Sequence, residues 1–225
     1  MLSEVDLDLN LIINEIDIHG KPQHKIKRVT VFKYLVLYID EDLTFKYHFN
    51  TISKNVSRRI LNLSRFKRCI NAKSLKTIFT AIVNPTIEYA LPIYAQHNID
   101  FGNIQFKIVT FLNYYCNSND IHKDLEIATA TQLLHFHTVV LTRTILNSSS
   151  VKNYIKNLFM IKERQRASKF ANNIMLPKYN KLMYVNSFQY RAIQCWNSLP
   201  SDIKATKPID EFKELLKKYL GMIIA

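Results

Sequence analysis

The sequence predicts a mainly α-helical fold, with helical bundles preceded by a short N-terminal β-hairpin or three-stranded ribbon. The chain has 225 residues, of which 48% are hydrophobic and 22% charged, so it can bury a sizeable core. It contains only three glycines and six prolines, too few for the many tight turns of an all-β architecture. Apolar residues recur at steps of three and four over several long stretches, which is typical of amphipathic helices.

Strand-like segments are confined to the first 40 residues. Residues 15–19 alternate polar and apolar and run into a Gly-Lys-Pro turn at 20–22. Segments 29–32 and 34–39 are rich in β-branched and aromatic residues, and the acidic residues 40–42 end the second of them. We therefore expect strands in all three segments.

The clearest predicted helix follows this ribbon. One apolar stripe is spaced at three and four residues and comprises Phe49, Ile52, Val56, Ile60, Leu63, Phe66 and Ile70. At 100° per residue, Lys54, Arg58 and Arg65 fall close to the opposite face. The helix is thus expected to bury one side and to expose a basic ridge on the other.

Local signals place the remaining helices. Asn71 is a suitable N-cap for a second helix, whose apolar side runs from Leu75 to Val83, and Pro85 should kink or end it. Further helices are expected at 104–117, 124–147, 151–159 and 163–174. A last helix should start at Pro208, with Asp210 and Glu211 in its first turn and Lys217 and Lys218 in its last, and end with Gly221 as a left-handed cap.

The charge is strongly basic and unevenly distributed. The net charge is +13 and the sequence pI is about 9.6. Residues 45–87 carry nine Lys or Arg and no acid, and residues 151–200 carry nine against one acid, Glu163. Such blocks favour polyanions, nucleic acid first and an anionic membrane surface second. The candidate nucleic-acid-binding residues are Lys54, Arg58, Arg65, Arg68, Lys73 and Lys76 in the first block, and Arg164, Arg166 and Lys169 in the second.

Several classes of protein are disfavoured. Neither a phosphate-binding P-loop nor a dinucleotide-binding G-x-G-x-x-G turn can be built from three scattered glycines. Cys69, Cys116 and Cys195 form no C-x-x-C pair, which argues against a zinc knuckle or disulfide framework and fits an intracellular compartment. The acidic N-terminus does not resemble a signal peptide, and no apolar run is long enough to span a membrane.

Catalytic constellations are weak. Metal-dependent nucleotidyl transfer needs two closely held carboxylates, and the candidates are Asp6 with Asp8 and Asp40 with Asp42. A frayed acidic terminus and a polar turn account for these pairs better. His135 and His137 fall in a helical pattern, where they cannot face the same way. Cys195 lies beside Trp196 and is expected to be a small core residue and not a nucleophile.

Three segments resemble reverse transcriptases of non-LTR (LINE-type) retrotransposons. Residues 31–48 resemble a family segment with F-K-Y-L-G, an Asp, then L-T-W and a His, and residues 82–90 resemble V-x-P-x-x-x-Y-G. Residues 190–204, which contain W-N-S-L-P, resemble the ending of many such reading frames. The resemblance covers about 29–97 and 164–220.

The resemblance implies three regions that follow a polymerase active site. Residues 1–45 would correspond to the end of the palm, 46–100 to a basic thumb-like helical region and 101–225 to a helical C-terminal region. The implied partners are RNA or an RNA–DNA duplex, held through phosphates, and the rest of a polymerase. Candidates for stacking on bases are Phe45, Tyr47 and Phe66, although the stripe favours Phe66 in the core and the other two between helix and hairpin.

The sequence also departs from that family. Val36 and Ala90 replace two family glycines, and Ile13 stands where the family has a lysine. The aromatic-x-Asp-Asp motif, which holds Mg in the family, is absent, so this chain alone is expected to hold no cofactor and not to be an enzyme. An incomplete gene model, a helical protein-interaction module retained from a decayed mobile element, and a peripheral membrane binder remain alternatives.

Overall fold

The architecture is mainly helical, with short β-hairpins near the N-terminus, and this confirms the predicted fold class. Among the described residues, two antiparallel pairs form: β1 (Ile12–Ile16) with β2 (Pro22–Lys25) and β3 (Val31–Tyr34) with β4 (Leu37–Asp40). The computed structural model of the protein describes residues 12–16, 22–25, 29–95, 100–115, 121–159, 173–178, 182–185 and 187–222.

The helices occupy most of the rest of the described chain. A 3₁₀ turn, Asn157–Phe159, continues one short helix. The helices are α1 (Lys46–Arg65), α2 (Ala72–Ile82), α3 (Asn84–Glu88), α4 (Leu91–Tyr94), α5 (Gly102–Leu112), α6 (Ile121–Asp124), α7 (Ala130–Asn147), α8 (Asn153–Lys156), α9 (Leu182–Val185), α10 (Phe188–Asn197), α11 (Ser201–Ala205) and α12 (Ile209–Tyr219).

The β3–β4 hairpin corrects the predicted strand at 34–39. The chain reverses within that segment, because Tyr34 pairs with Leu37 and the two residues between them form the turn. Leu35 has a φ of 54°, and a two-residue hairpin turn requires such a positive φ. Aromatic and β-branched composition therefore identified the strands but concealed the turn between them.

Helix α1 follows the predicted stripe over most of its length. Ile52, Val56, Ile60 and Leu63 are buried, together with His48. The prediction that Phe66 lies in the core was wrong, because its side chain is 60% exposed. The helix ends at Arg65, and a non-helical turn redirects the chain before the stripe would return to the core.

The start and the end of α2 are as predicted. The Asn71 side chain accepts a hydrogen bond from the Ser74 N–H at 2.8 Å, which satisfies one free donor of the first turn. The helix ends at Ile82, and α3 begins with Pro85 in its first turn. Between α3 and α4, Ala90 has a φ of 54°, a left-handed conformation that disfavours residues other than glycine.

The predicted helix at 124–147 is divided into the end of α6 and α7. Glu126 has a φ of 49°, and Thr129 starts α7 with a capping box in which its side chain and that of Gln132 cap each other's backbone N–H. The sequence carries the T-x-x-Q signature of this box, so the break had a local signal. Of the predicted helix at 163–174, residues 163–172 lie outside the described residues, and 173–174 are not helical.

Two hydrophobic clusters meet on α7. The first extends from Leu37 of β4 through α1–α5 to Leu133. The second begins with Phe136, one turn further along α7, and includes the buried side chains of α10, α11 and α12. Helix α7 therefore forms one wall of both clusters. The division of the chain at residue 100 stays a prediction.

Polar side chains close the second cluster. The Ile174 N–H donates to Asn197 Oδ1 at 2.8 Å, and the Asn197 Nδ2 donates to the Ile174 carbonyl at 2.9 Å. The buried guanidinium of Arg143 donates to the carbonyls of Thr206 and Lys207, both at 2.6 Å, and lies 4.0 Å from the Phe212 ring centroid. These contacts fix the segments on either side of α10 and α11.

The W-N-S-L-P run contributes both to the second cluster and to these polar contacts. Trp196 and Leu199 are buried in the second cluster, Asn197 binds Ile174, and Pro200 precedes α11. The last helix ends as predicted, with Gly221 at a φ of 66°. No helix among the described residues is both long and apolar enough to cross a bilayer.

The strain at Ala90 can be tested by Ala90→Gly. A left-handed L-residue costs about 1–2 kcal/mol, and glycine loses part of that gain through about 0.5–1 kcal/mol of backbone entropy. We expect Ala90→Gly to raise the free energy of unfolding by about 0.5–1 kcal/mol in urea titration. The same change at exposed, helical Ala81 should lower it by a similar amount, and equal signs would contradict the assignment of strain.

The role of Asn197 can be tested by Asn197→Ala. This change leaves the Ile174 N–H and C=O without their partner, so we expect a loss of about 2 kcal/mol in the free energy of unfolding. Asn62→Ala, on the exposed surface of α1, should change it by less than about 0.5 kcal/mol. A loss no larger than that of the control would show that the contact of Asn197 with Ile174 does not stabilise the fold.

Candidate nucleic-acid interface

The predicted basic ridge lies on the exposed face of α1. Lys54, Arg58 and Arg65 are all exposed, and within the described residues none of them takes part in an ion pair. At 100° per residue, their directions around the helix axis agree to within about 40°. They extend over about 16 Å along the axis, at a rise of about 1.5 Å per residue. The ridge is thus a straight row of solvent-exposed cations.

Arg68 and Lys73 continue the basic surface beyond the end of α1. Both are exposed, Arg68 in the turn after the helix and Lys73 in the first turn of α2. Lys76 differs from them, because its ammonium is paired with the carboxylate of Glu126, which neutralises its charge locally. The three candidates of the second block, Arg164, Arg166 and Lys169, lie outside the described residues.

A groove lies on one side of the ridge, between α1, the β3–β4 hairpin and α3. It has a volume of about 410 Å³. Lys33 of β3 and Arg59 of α1 bring two cations to its lining, and Arg59 donates to the Ile82 carbonyl at 2.7 Å. Tyr38 and Tyr89 add aromatic surface. Sequence reasoning missed Lys33 and Arg59, because only the packing of the hairpin against α1 brings them together.

His48 fixes the hairpin against α1 at the base of this groove. Its Nδ1 accepts a hydrogen bond from the Tyr38 N–H at 3.4 Å, and its ring packs edge-on against Tyr94, with centroids 4.9 Å apart. Burial lowers the pKa of His48, which favours the neutral imidazole that this acceptor role requires. The Tyr94 hydroxyl donates to the Ile87 carbonyl at 2.6 Å, and burial raises its pKa. The hairpin is therefore held by a specific buried contact.

A second groove lies on the other side of the ridge, between α1 and α5. It has a volume of about 340 Å³ and contains Lys107 of α5 and Lys67 of the turn after α1. The Lys107 ammonium donates to the Ser57 hydroxyl at 2.9 Å, and the Lys67 ammonium lies 4.7 Å from the centroid of the Tyr114 ring. The position of Lys107 beside α1 is a tertiary feature with no local sequence signal.

The three aromatic stacking candidates have different environments. Phe45 is buried in the first cluster, whereas Tyr47 is 52% exposed and contacts Tyr38 of the hairpin, with ring centroids 5.1 Å apart. This confirms that Tyr47 packs against the hairpin, whereas Phe45 is part of the core. Phe66 is exposed at the end of the ridge, next to Arg65. Tyr47 and Phe66 are therefore accessible to a ligand, and Phe45 is not.

Of the catalytic candidates named in the sequence, Asp40 takes part in a turn and His137 faces an acidic side chain. Asp40 Oδ1 accepts from the Thr44 N–H at 2.7 Å, as a carboxylate does in a polar turn, and Asp42 is exposed. His135 and His137 lie on α7, where His137 Nε2 lies 3.6 Å from Glu88 Oε2. Asp6 and Asp8 lie outside the described residues, and among those described no three His, Cys, Asp or Glu side chains are grouped as metal ligands would be.

Cys195 is half-buried on α10. Burial raises the pKa of its thiol to about 11, although nearby Arg191 opposes this shift. At neutral pH the side chain is therefore a thiol and not the thiolate that acts as a nucleophile.

Comparison with known proteins gives no match for this chain to a family model, a curated protein or a solved structure.

The environment of Cys195 predicts slow alkylation. We expect iodoacetamide to modify exposed Cys69 much faster than Cys195 at about pH 8, since alkylation requires the thiolate. The rate at Cys195 should still be rising between about pH 9 and 10, below its raised pKa. Peptide-resolved mass spectrometry measures both rates, and equal rates at about pH 8 would contradict the burial of Cys195.

Proposed function

We propose that this chain is a nucleic-acid-binding protein that holds RNA or an RNA–DNA duplex through its phosphates. The observation that carries the proposal is the ridge on α1, where Lys54, Arg58 and Arg65 are exposed and without an ion pair in the described residues. A row of uncompensated cations repels itself in the free protein. Binding a polyanion removes this repulsion and releases counterions from the nucleic acid, which favours association.

The length of the ridge suits a nucleic-acid strand. Phosphates of one strand follow each other about every 3.4 Å along a duplex axis, so about 16 Å of helix covers several of them. Contacts with phosphates orient a duplex without distinguishing its bases. The proposed binding is accordingly weak in sequence preference and strongly dependent on salt.

We further propose that the chain corresponds to the end of the palm and the thumb of a non-LTR retrotransposon reverse transcriptase. The order of a β3–β4 hairpin followed by a basic helix supports this assignment, together with the motif residues of the sequence. The left-handed Ala90 supports it as well, because it occupies a position at which that family carries glycine. The chain lacks the aromatic-x-Asp-Asp motif, so in this proposal the Mg-dependent polymerisation belongs to another part of the polymerase.

A protein partner is the second candidate, and the tip of the β3–β4 hairpin favours it. Phe32, Tyr34, Leu35 and Val36 are each more than half exposed. Large apolar side chains grouped in this way are uncommon on a surface that contacts only water. The rest of a polymerase, or the partner of a helical interaction module retained from a decayed mobile element, would cover this tip.

Reversing the ridge charges tests the proposal. Fluorescence anisotropy of a labelled RNA–DNA hybrid should show binding that weakens from about 50 to about 300 mM salt. In the variant Lys54→Glu/Arg58→Glu/Arg65→Glu, the slope of log K against log salt should be smaller in magnitude by about 2.7, since each phosphate contact contributes about 0.9.

The matched control is Lys152→Glu/Lys207→Glu/Lys218→Glu. These lysines are exposed in the C-terminal part of the chain, and their reversal changes the net charge by the same amount. If both triple variants lose affinity equally, the net charge and not the ridge determines binding. If the wild-type chain binds neither the hybrid nor single-stranded RNA even at about 50 mM salt, the proposal is wrong, and the hairpin tip becomes the surface to investigate.

A further inference from the structure

The groove between α1 and α5 combines an apolar floor with a cationic rim. Ile60 and Phe111 are buried side chains of its lining, and Leu61, at its edge, is 58% exposed. Lys67 and Lys107 bring ammonium groups to it from two different elements. Its volume of about 340 Å³ lies within the range of small-ligand sites.

The donors that the groove offers a ligand are its two ammonium groups. The Lys107 ammonium donates to the Ser57 hydroxyl, while the Ser57, Ser64 and Thr110 hydroxyls donate to backbone carbonyls of their own helices. Among the residues that the structure describes, no acidic side chain lines the groove. A ligand that occupies it therefore needs an apolar, flat part for the floor and an anionic part for the lysines, and a nucleotide has both.

Tyr114 supplies the aromatic surface. Tyr114 is 52% exposed and packs edge-on against Tyr115, with ring centroids 5.1 Å apart. The Lys67 ammonium lies over the Tyr114 ring, 4.7 Å from its centroid. Exposed aromatic rings beside cations are typical of sites for single-stranded nucleic acids, because an unpaired base offers its face for stacking. Within a duplex the neighbouring base pairs cover these faces, so the base pairs in the interior of a duplex cannot stack on such a ring.

We infer that the α1–α5 groove binds one unpaired nucleotide, with its base on Tyr114 and its phosphate on Lys67 and Lys107. This inference rests on the proposed nucleic-acid binding and specifies the substrate as one with a single-stranded segment. The groove adjoins the ridge, since Leu61 and Ser64 belong to the same turns of α1 as Arg58 and Arg65. A strand that contacts the ridge reaches Tyr114 by crossing one side of α1.

The test compares three labelled ligands: a blunt RNA–DNA hybrid, the same hybrid with a single-stranded extension, and a single-stranded oligonucleotide. Tyr114→Ala should weaken binding of the single strand and of the extended hybrid at least about fivefold, the lower end of what one stacked base contributes. Affinity for the blunt hybrid should stay unchanged. Tyr114→Phe keeps the ring and should bind like the wild type, whereas Lys107→Gln should reduce the salt dependence on the single strand.

Tyr154→Ala is the matched control, because Tyr154 is another exposed tyrosine, 66% accessible, on α8 of the C-terminal part. It should leave all three affinities unchanged. If Tyr114→Ala behaves like Tyr154→Ala on the single strand and the extended hybrid, the inference is overturned, although ridge-dependent binding of the blunt hybrid would still stand. If the wild type binds the single strand through Tyr114 but not the blunt hybrid, the inference stands and duplex binding by the ridge is overturned.

Discussion

The burial of one stripe of α1 is the constraint on which the proposed interface depends. Val56 is completely buried, and Ile52, Ile60 and Leu63 are nearly so. Because a helix is rigid at this length, fixing these side chains in the core also fixes the direction of every other side chain on it. The ridge of Lys54, Arg58 and Arg65 is exposed as a consequence, and so are the two grooves on its flanks. The positions of the cations on this surface are thus set by apolar packing.

The features that were predicted correctly depend on residues that are neighbours in sequence. The α1 stripe, the Asn71 cap, the stop before Pro85 and the Gly221 cap are properties of neighbours in sequence, and each was found from local rules. Phe66 continued the periodicity but lies after the last turn of α1, where periodicity carries no information about direction. A local signal for the break before α7 existed in Thr129 and Gln132, and the helical pattern around it concealed that signal.

The candidate site was predictable only in part, for a related reason. Residues of one helix face, such as Lys54 and Arg58, are placed by helix geometry alone. The ion pair of Lys76 with Glu126 and the approach of Lys107 to Ser57 each join residues fifty positions apart. Such contacts depend on how helices pack, which a single sequence does not determine. The sequence therefore located the ridge, while the structure was needed to find the grooves and to show that the charge of Lys76 is compensated.

Helix α7 has a consequence for how the protein unfolds. Leu133 belongs to the first hydrophobic cluster, Phe136 and Val139 belong to the second, and the Gln132 amide donates to the Leu220 carbonyl near the end of α12. Neither cluster keeps a complete wall if α7 melts, so loss of order in one exposes apolar surface of the other. The shared helix thus couples the two clusters, and a fragment cut within α7 would carry an open, aggregation-prone apolar face on either side of the cut.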